Sequence, residues 1–134
     1  MYIQDHTLEH SDFLALELSN GSVRLSFNTG VDTRSITVGS QLNDGIYHLI
    51  SVRIEPANTA TISIGSCQGI CQGSVSTIQN DQSTFSGNMY LGGVRDNTPQ
   101  IRGHFLTESS FVGCIKVKIF FKSFYFLETT EVCL

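Results

Sequence analysis

Short runs in which apolar and polar residues alternate recur along the chain, and alternation with a period of two is the signature of a half-buried strand. In Phe13-Leu14-Ala15-Leu16-Glu17-Leu18, the residues Leu14, Leu16 and Leu18 share one face. Ser22 to Phe27 does the same, with Val23, Leu25 and Phe27 on one face and Ser22, Arg24 and Ser26 on the other. Asn20-Gly21 lies between the two runs. Both residue types tolerate positive φ, so this pair predicts a tight hairpin. Ser35 to Val38 reads as a short strand, and Asn43-Asp44-Gly45 as a turn. Tyr47 to Ile54 reads as a strand with His48, Ile50, Val52 and Ile54 on one face. After Pro56-Ala57-Asn58, Thr59 to Ile64 alternates through Ala60, Ile62 and Ile64. Gly65 to Gly87 is rich in Gly, Ser, Gln and Asn and reads as loop, with one weak strand near Val75 to Ile78. Asn88 to Leu91 is a strand closed by Gly92-Gly93, and Asn97 to Ser110 a long polar loop. In Cys114 to Phe121, Ile115, Val117, Ile119 and Phe121 share a face, and Lys116, Lys118 and Lys122 take the other. Many short strands separated by turns predict an all-β, antiparallel sandwich or barrel.

Composition supports this pattern. The 134 residues include 9 Val, 12 Ile, 12 Thr and 16 Ser but only 3 Ala, which argues against a helical bundle. Hydrophobic residues make up 40% and charged residues 15%, a balance that excludes intrinsic disorder. The net charge of −4 gives no footprint for nucleic acid. Met1-Tyr2-Ile3 opens without a charged region, an apolar stretch or a cleavage site, so the expectation is a chain with no signal peptide. The most apolar run, Ile119 to Leu127, holds Lys122 and falls well short of the roughly 20 residues a membrane helix needs. No membrane insertion is expected. No linker or exact repeat divides residues 1–134, which are read as one domain.

Three stretches, taken in order, resemble the laminin G-like domain. They are Asp12 to Leu18 with Asn20-Gly21, Val23-Arg24-Leu25 and Phe27-Asn28-Thr29-Gly30; Leu42 to Arg53, which contains Asn43-Asp44-Gly45-Ile46-Tyr47-His48; and Met89-Tyr90-Leu91-Gly92-Gly93 followed by Phe111-Val112-Gly113-Cys114-Ile115. The resemblance implies a jelly-roll, concanavalin-like antiparallel β-sandwich. It also implies strands ahead of Met1 that this chain lacks, hence a domain truncated at its N-terminus with an exposed sheet edge. Such an edge invites self-association. Two further departures are Ile64-Gly65-Ser66, where the family has a Val-Asp-Gly-like turn, and Ile119-Phe120-Phe121-Lys122, where it has a polar hairpin.

Four cysteines allow three pairings. The resemblance implies Cys114 with Cys133, which leaves Cys67 and Cys71 for a small local bridge that is not a hallmark of the family. Free thiols and a metal site are the alternatives for that pair, but zinc needs four ligands and the Gly65 to Gly73 loop offers two cysteines and no histidine. Paired cysteines indicate an extracellular setting. The resemblance further implies calcium held at the sandwich rim by the Asp12 carboxylate and the Thr29 carbonyl. A further ligand would come from the loop before Leu91, where Asp81 is nearest in type and Gln82 and Thr84 align as well. An Asp before a strand is also an ordinary turn residue.

Other candidates are weaker. Gly69-Ile70-Cys71-Gln72-Gly73 has the outline of a nucleophile elbow, but no helix pattern follows it and no acid–His order fits. No catalytic residues are expected, and the chain is read as a non-enzyme. His6 and His10 sit in a loop-like segment and read as solvated, and His48 reads as a half-buried strand histidine. Lys116, Lys118 and Lys122 could meet a sulfated glycan, or simply form a solvated strand face. Asn20-Gly21-Ser22 is an N-glycosylation acceptor that doubles as the hairpin turn. The combined expectation is an extracellular adhesion module presenting loop-edge residues to a receptor, matrix protein or glycosaminoglycan. Two alternatives stand beside it: a carrier of a small hydrophobic ligand, with Phe120, Phe121, Phe124 and Phe126 lining the pocket, and a truncated fragment with no independent function.

Overall fold

In the computed structural model the described residues are 2–4, 13–28, 32–55, 58–77, 89–90, 92, 110–118 and 129–133. They form ten strands and, among the described residues, no helix. The strands are β1 (Tyr2–Gln4), β2 (Phe13–Ser19), β3 (Ser22–Asn28), β4 (Thr33–Val38), β5 (Ile50–Glu55), β6 (Thr59–Ile64), β7 (Gln72–Ser76), β8 (Met89–Tyr90), β9 (Cys114–Lys118) and β10 (Thr129–Cys133).

The strands form a five-stranded sheet in the order β4-β3-β2-β1-β8, a three-stranded sheet β5-β6-β7 and a β9–β10 ladder. Every pairing is antiparallel. The β2–β3 hairpin turns on Asn20 and Gly21, whose φ values of 50° and 72° are those of a primed two-residue turn. Its register pairs Leu14 with Phe27, Leu16 with Leu25 and Leu18 with Val23, so the apolar positions of both strands share one face. In the second sheet Ile50 pairs with Ile64 and Val52 with Ile62.

Strand β4 packs against β6 and β7, and the core lies between the two sheets. Leu14, Val23, Leu25, Phe27 and Val38 from one sheet meet Ala60, Ile62 and Ile64 from the other, with Leu42 closing one end. Gly73 on β7 permits this approach. A Cβ there would stand 2.2 Å from Cδ1 of Ile36 and 3.5 Å from Cγ1 of Val38. The opposite face of the five-stranded sheet is buried too, at Phe13, Ala15, Glu17 and Ser26. Alternation along β2 did not foretell this, because it assigned the buried role to the leucine face alone.

Several strand readings hold with shifted ends. Thr59–Ile64 matches residue for residue, β4 starts two residues earlier than read, and the weak strand near Val75 lies at Gln72–Ser76. The strand read from Tyr47 starts only at Ile50, so His48 is not a strand histidine; it belongs to the loop before β5, where its ring is held by polar partners. Strands β1 and β10 went unread: β1 is only three residues long, and β10, Thr129-Thr130-Glu131-Val132-Cys133, shows no alternation of apolar and polar residues. The readings at 78–88, 97–109 and 119–121, and the histidines at 6 and 10, lie outside the described residues.

Candidate functional site

One end of the sandwich gathers two loops, residues 39–49 and 65–71, and hydrogen bonds fasten them together. Gly39 N donates to Ile70 O at 2.7 Å and Gly65 N to Leu49 O at 2.9 Å. The Ser40 hydroxyl donates to Gln68 O at 3.2 Å. The β2–β3 turn joins the same end, since Leu42 N donates to Gly21 O at 2.8 Å. The Cys67–Cys71 bridge closes the 65–71 loop, and Cys67 packs partly into the core.

The Asn43-Asp44-Gly45 turn organises the other loop. Asp44 Oδ1 accepts from Ile46 N at 3.1 Å and from His48 Nε2 at 2.9 Å. The second ring nitrogen of His48 lies 3.2 Å from the Ser66 carbonyl oxygen. The imidazole is thus strung between the two loops. Its hydrogen bond to Asp44 raises its pKa above the ordinary 6.5, the Ser66 carbonyl adds to this, and desolvation opposes it. Reciprocally, the His48 contact, helped by the Ile46 amide, lowers the pKa of Asp44 below 3.8.

Ile46, Tyr47 and Leu49 surround this knot with exposed apolar surface. Nζ of Lys116 sits 4.8 Å from the Tyr47 ring centroid, a cation–π contact linking β9 to the loop. This relay and the stacked Lys116 were missed in the sequence. The four-residue spacing of Asp44 and His48 was a usable signal, but reading a strand from Tyr47 pointed the ring toward the core instead.

The expected disulfides are both present. Cys114 and Cys133 are register partners on β9 and β10 with Cα atoms 4.0 Å apart, and Cys67 and Cys71 have theirs 5.8 Å apart. Asn20 is exposed at the hairpin turn. Lys116 and Lys118 occupy alternate positions of β9, with Glu131 opposite the first and Thr129 opposite the second; Lys122 lies outside the described residues. Asp12, Thr29 and Asp81 also lie outside them. The β2–β3 ladder nevertheless ends at the pair Phe13 and Asn28, the immediate sequence neighbours of Asp12 and Thr29. Among the described residues no cluster of three His, Cys, Asp or Glu side chains could hold a metal. A shallow cavity of about 220 Å³ on the outer face of the second sheet is lined by Ser51, Arg53, Glu55, Thr61, Ser63 and Gln72. Its lining is polar, unlike the apolar pocket a hydrophobic ligand needs. No helix among the described residues is long and apolar enough to cross a membrane.

Comparison with known proteins sets this architecture in a family. Residues 1–120 match the laminin G domain model. The chain is 30% identical over 120 residues to mouse protocadherin Fat 4, covering 83% of this chain and 2% of that protein. It is 34% identical over 85 residues to neurexin 1 of Drosophila melanogaster, covering 62% and 4% respectively. Human pikachurin is 30% identical over 113 residues, covering 79% and 10%. No solved structure matches at comparable significance. The chain therefore spans a tenth or less of the length of these relatives. Laminin G domains are binding modules of adhesion proteins rather than enzymes. With its all-strand sandwich, its paired cysteines and a family match over most of its length, this chain belongs to the laminin G domain family.

Proposed function

We propose that this domain is an extracellular adhesion module that binds a receptor, matrix protein or sulfated glycan through its loop edge. Its membership of the laminin G family is the observation that carries this reading. The rim adds to it. Ile46, Tyr47 and Leu49 offer exposed apolar contacts and Lys116 a cation, the mixture that suits a protein or polyanionic partner.

The proposal also includes a calcium ion held by Asp12, Thr29 and Asp81, the first two next in sequence to the Phe13–Asn28 pair that ends the β2–β3 ladder away from the turn. Oxygen donors of this kind suit a hard cation. Lys118 and Lys122 extend the basic face for a glycan, and Asn20 carries an N-linked sugar on the hairpin turn. Secretion and an extracellular location belong to the same reading.

Calorimetric titration of calcium into the oxidised chain, with Asp12→Ala beside it, tests the metal. Heat from the parent and none from the variant is expected; no heat from either sinks the calcium site. Retention on immobilised heparin, with Lys116→Ala as comparison, tests the glycan arm.

A further inference from the structure

We propose that His48 is a pH-dependent clasp that fastens the Asp44 turn to the Cys67–Cys71 loop when its ring carries both protons and lets that loop go when one leaves. The geometry demands two donors. Nε2 faces the Asp44 carboxylate at 2.9 Å and Nδ1 faces the Ser66 carbonyl at 3.2 Å. Both partners are acceptors only, and a neutral imidazole has a single N–H. Only the imidazolium satisfies both contacts.

When the ring loses a proton, the remaining one stays on Nε2, because a carboxylate is the stronger acceptor. Nδ1 then turns a lone pair toward the Ser66 oxygen, and that contact becomes repulsive. Among the described residues, no other titrating group at this rim replaces it. The loop 65–71 carries no titratable side chain, since Cys67 and Cys71 are joined. Strand β6 carries no charged residue, Arg53 and Glu55 on β5 line the outer cavity, and Lys116 is stacked on Tyr47. Asp44 is the charged group that acts on the ring, and its hydrogen bond raises the pKa of His48 above the ordinary 6.5.

The contact most sensitive to release is Gly65 N to Leu49 O, next to Ser66 in the chain. Loosening it frees the segment that bears Ile46, Tyr47 and Leu49, so pH acts on the apolar rim itself. The adjacent bond from Ile64 N to Cys71 O closes the loop from its other end and serves as an internal reference.

Hydrogen exchange on the intact, oxidised chain tests the clasp, with rates corrected for intrinsic pH dependence. Between about pH 5.5 and about pH 8.5 the Gly65 amide is expected to lose protection relative to Ile64 as the ring gives up its second proton. In His48→Gln, whose side chain does not titrate, the ratio is expected to be flat. A flat ratio in the parent chain, or the same slope in the variant, overturns the proposal. Should the variant fail to fold, the imidazole 15N shifts of the parent decide. Two protonated nitrogens with a midpoint above 6.5 support the clasp, and a midpoint at or below that value overturns it.

Discussion

Glu17 and Arg24 face each other across the β2–β3 ladder, with Nη1 of the arginine 3.2 Å from Oε2 of a carboxylate whose side chain is only 2% exposed. Nη2 of Arg24 also donates to the Ser35 hydroxyl at 3.3 Å, so one side chain spans three strands. Removing Arg24 takes the ion-pair partner away from a carboxylate that is itself buried. Arg24→Ala is therefore expected to destabilise the domain by about 3 kcal/mol in urea unfolding. The double variant Glu17→Leu, Arg24→Met is expected to cost much less, because the buried charge is gone. Equal losses for the two would refute this account.

At Gly73 the second sheet lies directly against the Ile36 and Val38 side chains of the first. A valine there would drive its Cβ into Ile36 and crowd Val38. Overpacking of this kind costs about 1–3 kcal/mol. A midpoint for Gly73→Val indistinguishable from that of the parent would show that the sheets can part at no cost.

Gly21 is constrained by both conformation and space. Its φ is 72°, and a Cβ would lie 2.5 Å from Oδ1 of Asn43 and 3.2 Å from the Gln41 nitrogen. Gly21→Val is expected to lower stability by about 1–3 kcal/mol, with the loss visible as a reduced thermal midpoint. The more modest Asn20→Gly keeps the turn and removes the glycan acceptor, so it separates glycosylation from folding.

The two disulfides should differ in worth. Cys114–Cys133 closes a span of 19 residues and Cys67–Cys71 one of 4. By loop-closure entropy the first contributes about 3 kcal/mol and the second about 2 kcal/mol. Replacing each pair by alanine and comparing denaturation midpoints checks the order; a costlier loss of the short bridge would reverse it.

The Asp44–His48 pair bounds a pH plateau from both sides. The pKa of His48 is raised, so its contribution is fully present below about 6.5 and is lost as pH climbs through the folded-state value. The pKa of Asp44 is depressed, so its contribution is present above 3.8 and is lost as pH falls through the lower folded-state value. Thermal midpoints recorded across this range should be highest between those limits, and the Asp44→Asn, His48→Gln double variant should show shallower flanks. Unchanged flanks in that variant would assign the pH dependence to other groups.

Much of the fold was legible because strand alternation and turn dihedrals are local properties. Thr59–Ile64 could be bounded to the residue, and Asn20-Gly21 located, from neighbouring side chains alone. The residues proposed for calcium were reached only through family resemblance, since an Asp before a strand has no local mark of a ligand. The His48 relay was hidden for a different reason. His48 stands 18 residues from Ser66, and no periodicity records a contact between two loops.

By itself, then, the sequence determined an all-β chain, most of its strands, the hairpin turn and the apolar face that builds the core. These follow from side-chain period and backbone preference over a few residues. Tertiary structure decided the rest: that the face of the first sheet bearing Phe13 and Ala15 is buried as well as the one bearing Leu14 and Leu25, that β4 settles onto the bare backbone of Gly73, and that His48 leaves its expected strand to join two loops. Each depends on groups far apart in the chain meeting at contact distance, and only packing in three dimensions sets which groups those are.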